Sequence, residues 1–159
     1  MKKKQSIKLL TFSITSIGLL SYISGQFTKT SVGTWYTTLK KSSLTPPDIT
    51  FPIVWSILYL MIALALWQLL KKYKQKKISN IPLIFFGIQM ICNFLWSPLF
   101  FALQSPLLGL IDIIPLWLFI ALTIITSYKD AKFASILMMP YFLWVSFAVY
   151  LNAVIVYLF

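Results

Sequence analysis

The sequence predicts an all-α integral membrane protein, a single domain over residues 1–159 built as a five transmembrane helix bundle. Three observations carry this. The chain is 59% hydrophobic, 17% aromatic and only 11% charged, whereas a soluble domain carries about 25% charged residues. Its apolar residues fall into five long runs, each close to the roughly 20 residues that a helix needs to cross a bilayer core. The runs show no sustained alternation of period two, so helices are favoured over strands.

The first run spans residues 6–26. Its start, "MKKKQSIKLL", resembles the basic region of a signal peptide. The apolar stretch then continues through "TFSITSIGLLSYISGQF", with no clear A-x-A-like cleavage site and no nearby cysteine for a lipid anchor. We therefore read it as a retained helix. The first connection, residues 27–48, carries Trp35, Lys40, Lys41, Pro46 and Pro47 and is long enough to fold over a surface as a lid. The second helix is expected over 49–70, with Asp48 suited to cap its free N–H groups. A short basic connection, "LKKYKQKKISN", leads to the third helix over 80–102. The turn "FALQSP" leads to the fourth, over 106–128, and "SYKDAK" to the fifth, over 133–157. Connections this short predict that helices two to five form a tight bundle with antiparallel neighbours. Pro98, Pro115 and Pro140 fall within spans, where each removes a helical hydrogen bond and favours a kink. Kinks in several helices of one bundle favour an internal cavity, although membrane helices tolerate proline in any case.

The net charge is +11, and all fourteen basic residues are lysines. They sit at the ends of apolar runs, where they anchor helices and attract anionic lipid headgroups. No arginine-rich face or aromatic–basic pattern points to nucleic acid. Eleven lysines fall on the side of the N-terminus and only Lys29, Lys40 and Lys41 on the other. The positive-inside rule then puts the N-terminus in the cytoplasm, and the first connection and C-terminus outside.

Histidine is absent, which excludes imidazole-ligated haem, histidine zinc sites and catalytic triads that use imidazole. No spacing suits a metal ion, and no glycine loop suits a phosphate. Cys92 is the only cysteine and reads as a small core residue. Ser21-x-x-x-Gly25 is the nearest small-residue pair, a weak packing signal between copies. Asp112 is the one acid well inside a span and must be neutral, paired or near water. Alone it provides no acid–base pair, so it reads as structural.

The polar and amphipathic residues inside the spans are the informative ones. Trp55 and Tyr59 share one helix face, as do Asn93 and Trp96, and Trp144, Ala148 and Asn152. Three helices thus each offer an aromatic ring with a polar partner. These groups either satisfy one another and lock the bundle, or bind a ligand. Trp67 suits an interfacial position at its basic helix end, and Trp117 a lipid-facing one.

Several ordered motifs over residues 35–152 resemble the tryptophan-rich sensory protein / translocator protein family, formerly the peripheral-type benzodiazepine receptors. They are Trp35-Tyr36-x-x-Leu39-x-Lys41, Pro46-Pro47, Val54-Trp55-x-x-Leu58-Tyr59 and Asn93-x-x-Trp96-x-Pro98-x-Phe100-Phe101. Asp112 and Tyr141-x-x-Trp144-x-x-Phe147-Ala148-x-x-Leu151-Asn152 follow. The resemblance implies a five-helix bundle, usually a homodimer, with a pocket beneath the first connection. It implies binding of protoporphyrin IX and of isoquinoline carboxamide and benzodiazepine-type drugs, and for some bacterial members light-dependent porphyrin breakdown. By position, Trp55 and Asn93 resemble the polar contacts to ligand, and Tyr59, Trp96, Trp144, Ala148 and Leu151 the pocket wall. Two departures stand out. Lys41 is followed by Ser42 rather than proline, which implies a less rigid lid there. The last helix lacks the basic residue of the animal cholesterol motif, which argues against a sterol as natural ligand; the lysine-rich, compact chain with no targeting segment reads as a bacterial plasma-membrane protein.

The combined reading is a membrane receptor for a porphyrin or another planar apolar small molecule, with no cofactor required. Ligand propionates are expected near Lys40 and Lys41, and Trp55 and Trp144 are candidate redox partners in a photo-oxidation. Lacking histidine, the site favours a metal-free porphyrin over haem. The alternatives are a carrier of lipophiles and a stress sensor acting through a partner protein.

Overall fold

A computed structural model describes residues 2–159. Six α-helices follow one another: α1 (Lys3–Lys29), α2 (Trp35–Thr38), α3 (Thr50–Lys74), α4 (Ile81–Ser97), α5 (Pro106–Ser127) and α6 (Lys132–Leu158). A π-helical turn, Pro98–Ala102, extends α4. All but α2 are long and apolar enough to cross a membrane, with α4 and the π turn forming one span. Three spans run beyond their expected ends, because lysine-bearing turns continue the helices past the apolar stretch: α1 covers Lys3–Lys29, α3 reaches Lys74 and α6 starts at Lys132, while the other two keep their expected bounds to within one residue.

Local chemistry explains the ends. The α5 start is set by Ser105, whose Oγ accepts from Leu108 N–H at 3.2 Å, and by Pro106 in the first turn. At the α3 end Lys76 takes a left-handed conformation, φ 56°. Lys77 N–H then bonds Lys72 C=O and Lys76 N–H bonds Tyr73 C=O, a Schellman closure. The α3 start differs from expectation. Ile49 occupies the cap position and no side chain caps the helix. Asp48 contributes only its carbonyl, to Phe51 N–H. The preceding prolines start the turn by φ restriction, so a carboxylate cap is not used.

The helices pack in ring order α1, α3, α6, α5, α4. Despite their short connection, α3 and α4 touch only sparsely, contrary to the expected tight antiparallel pairing. Large rings and a buried amide fill the space between them, as described below. The ring is closed by hydroxyls: Ser24 Oγ on α1 donates to Ser97 Oγ on α4 at 2.9 Å. Ile62, Leu69, Leu116, Ile120 and Met138 form the deepest core, all 2% exposed or less. Trp67 donates to Ser6 C=O, tying the start of α1 to the end of α3 at 3.0 Å, so the basic termini share one end of the bundle. The many exposed aliphatics, such as Leu19, Ile91 and Leu143, suit acyl chains.

The first connection, expected as a loop, holds the short helix α2. Tyr36 and Trp35 of α2 pack on Phe100, and Tyr36 also on Phe101, with ring centroids 5.6–6.2 Å apart. Ser31 Oγ donates to Phe101 C=O at 2.7 Å. The π turn thus presents both aromatic side chains and a carbonyl to the lid. Ser42, where proline was the family expectation, lies 3.1 Å from the Tyr150 hydroxyl on α6 and accepts from Leu44 N–H. The serine therefore fastens the lid at a point where added freedom was expected.

Candidate functional site

A cavity of about 650 Å³ lies beneath the lid, enclosed by α1, α3, α4 with its π turn, α6 and the Ile113–Leu116 edge of α5. Trp55 and Tyr59 reach it from α3, Asn93 and Trp96 from α4, and Trp144, Ala148 and Leu151 from α6. The structure thus brings together all seven residues singled out as a ligand-binding set. The helical spacing that aligned each pair turns three stripes to one point. Sequence reading missed the contribution of α1, whose Ser21, Ser24, Gly25 and Thr28 line the opposite wall. The pair Ser21 and Gly25, a weak packing signal in the sequence, lines the cavity, on the stripe that carries the Ser24 bond to α4. Small residues on a four-residue spacing were the signal; the face they occupy depends on the neighbours.

The lid residues divide. Tyr36 and Thr37 line the cavity, whereas Trp35, Lys40, Lys41, Pro46 and Pro47 do not. Lys41 Nζ donates to Tyr36 C=O at 3.2 Å and sits 4.0 Å above the Tyr36 ring. A lysine so engaged clamps the lid and does not point at a ligand. The cation that reaches the cavity is Lys29, with Asp48 as the acid.

The cavity floor is a hydrogen-bonded chain. Tyr59 OH donates to Asn93 Oδ1 at 2.7 Å. Asn93 Nδ2 donates to Tyr141 OH at 2.8 Å, and Tyr141 OH donates to Gln89 Oε1 at 2.9 Å. Both ends of the Asn93 amide are therefore engaged across three helices, an arrangement that locks the bundle. Trp96 donates to Asn152 Oδ1 at 3.2 Å, and Asn152 Nδ2 donates to Pro106 C=O at 2.8 Å. Trp55 stacks obliquely on Tyr59 at 5.3 Å and meets Tyr141 edge-on at 6.2 Å. Trp144 meets Phe51 edge-on at 5.8 Å. Among the described residues, neither Trp55 nor Trp144 bonds its indole N–H. Trp67 and Trp117 lie outside the cavity; Trp117 donates to Ser146 Oγ at 2.8 Å and is partly exposed to the lipid side. Asp112 is buried with Oδ2 unpartnered, and Gln89 Nε2 is likewise unpartnered.

The family model described as the TspO/MBR family matches residues 11–158. The chain belongs to this family. It is 43% identical to the tryptophan-rich protein TspO of Chlorobaculum tepidum, over 95% of this chain and 97% of that one. It is 40% identical to the protein of the same name from Archaeoglobus fulgidus, over 92% and 94%. It is also 30% identical to the translocator protein of Sus scrofa, over 74% and 70%. This member of the TspO/MBR family is a multi-pass membrane protein, and its cavity is walled by the tryptophan and tyrosine rings on which the resemblance rests.

Tyr36 gives a pH prediction for the lid. Burial, followed by the nearby Asp48 charge, pushes its phenol up from 10 to about 12. A pKa raised in the fold means that the lid is fully stabilised below about pH 10 and loosens as pH rises from there through 12. A phenolate titration should show one tyrosine titrating near pH 12 that disappears in Tyr36→Phe. Titration of that group near pH 10 would remove the packed position of α2.

Proposed function

We propose that this protein is a membrane receptor for a flat apolar ring system, a metal-free porphyrin of the protoporphyrin IX type. The observation that carries this reading is the cavity: about 650 Å³, within the usual ligand-site range of roughly 300–1,000 Å³, and lined by Trp55, Tyr59, Trp96 and Trp144. Indole and phenol faces stack on a macrocycle, and offset or edge-on rings are the favoured arrangement. The unbonded Trp55 N–H supplies a directional contact. Propionates fit the lid end, where Lys29 replaces Lys40 and Lys41 as the cation within reach. Planar carboxamide and benzodiazepine-type molecules satisfy the same requirements of size and polarity. The eleven-to-three lysine asymmetry supports an N-terminus in the cytoplasm and a lid facing outward, in a bacterial plasma membrane.

A light-driven activity has one supporting observation: Trp55 and Trp144 both border the cavity. An excited porphyrin accepts an electron from an indole, and dioxygen then serves as terminal oxidant.

One titration tests both. Protoporphyrin IX is added in the dark to detergent-solubilised protein while tryptophan fluorescence is followed. Quenching should saturate. Trp144→Ala should weaken binding about tenfold or more, since burial of an aromatic side chain contributes roughly 2 kcal/mol. Illumination should then form a new absorbing product that is lost in Trp55→Phe/Trp144→Phe. A product unchanged in that variant removes the redox role. Non-saturable quenching, indifferent to both substitutions, overturns the receptor reading and points to lipids or sterols.

A further inference from the structure

A second concavity lies at the other end of the bundle, where the last turns of α3 meet the α5–α6 connection. Its volume is about 240 Å³, and Gln68, Lys72, Lys129, Asp130, Lys132 and Phe133 border it. Lys72 is half-buried, while Lys129, Asp130 and Lys132 are exposed. Among the described residues no lysine–aspartate ion pair forms within 4.0 Å. Three lysines and one aspartate thus border a small hollow, a local excess of two positive charges. Lys132 Nζ rests 5.6 Å above the Tyr128 ring, which holds it at the rim without neutralising it.

The rest of the rim is apolar. Phe133 is 53% exposed and Ile136, one turn further along α6, is 46% exposed. A cationic hollow that opens onto an apolar helix face, at the level where a span leaves the bilayer, matches one kind of molecule: a phosphate head with hydrocarbon tails. A free phosphate would use the lysines alone, whereas a phospholipid uses the lysines and the adjoining Phe133–Ile136 track together. We propose that this hollow holds the phosphate of one anionic phospholipid, from the leaflet that faces the two basic turns. Its acyl chains run along α6 past Phe133 and Ile136. The site is separate from the aromatic cavity and does not depend on what that cavity binds.

Native mass spectrometry of the full chain in detergent tests it, with phosphatidylglycerol and phosphatidylcholine titrated separately. One phosphatidylglycerol should bind at a concentration about tenfold lower than phosphatidylcholine, since each surface lysine contributes a factor of roughly five toward anionic lipid before overlap and screening. Lys72→Gln/Lys129→Gln/Lys132→Gln should erase that preference. Lys74→Gln/Lys76→Gln/Lys77→Gln removes the same charge outside the hollow and should retain it. Asp130→Asn should raise the preference about three- to fivefold, a gain that a folding defect cannot imitate. Equal loss in both triple variants would reduce the effect to diffuse surface charge and overturn the site. Displacement of the lipid by millimolar inorganic phosphate would overturn the lipid assignment.

Discussion

Asn93→Ala should destabilise the bundle by about 2–3 kcal/mol and weaken ligand binding in the same variant. The substitution removes two bonds at once, the 2.7 Å bond from Tyr59 and the 2.8 Å bond to Tyr141. Single interhelical bonds in membranes contribute about 0.6 kcal/mol on average and up to roughly 1.7. Here the Tyr141 hydroxyl is also left with one partner fewer at a fully buried position, which adds a desolvation cost. Tyr141→Phe breaks the Asn93 bond and the Gln89 bond together. A double-mutant cycle between these positions, read by unfolding in mixed detergent, should show a coupling of about 0.5–1.5 kcal/mol. Strict additivity would mean that the chain across α3, α4 and α6 is not formed.

The second large effect should come from Gly109→Ala. A Cβ at this position would lie 2.8 Å from Phe100 Cδ2, 3.0 Å from Asn152 Oδ1 and 3.2 Å from Phe100 Cβ. Phe100 has little room to yield. It is 1% exposed, stacked on Trp96 at 4.9 Å and flanked by Trp35, Tyr36 and Phe101. Overpacking a filled site costs about 1–3 kcal/mol. The displacement should also break the Trp96–Asn152 bond and red-shift or quench the Trp96 emission. Gly87→Ala is the control, because its added Cβ meets nothing within 4 Å. It should be neutral or stabilise by up to about 1 kcal/mol through helix propensity. Equal losses at both glycines would show that the close approach of α5 to the π turn does not limit the cavity wall.

Much of the site was legible because a helix converts spacing into direction. Trp55 with Tyr59, Asn93 with Trp96 and Trp144 with Ala148 each lie on one stripe, whatever the helix packs against. What stayed hidden has a common cause. Lys41 looks in sequence like a ligand-facing cation, yet its position over Tyr36 requires α2 to exist and to dock on Phe100 and Phe101. That Ser21 and Gly25 line the cavity depends on Ser24 beside them finding Ser97, 73 residues away. Asp48 precedes a helix as a cap should, but Ile49 takes the cap position.

The sequence alone determined the solvent, the number of spans and which side chains share a helix face. These depend on hydrophobic length and on the 3.6-residue period, both local quantities. Ring order was decided only by tertiary structure: α3 beside α1 and α6, and little of α4, despite the short connection. So were the π turn that receives the lid and the choice of Lys29 over Lys40 and Lys41 at the cavity. In a bilayer every helix is similarly apolar on its outside, so hydrophobicity does not specify neighbours. A few hydroxyl, amide and ring contacts between distant residues do, and their pairing exists only once the helices are packed.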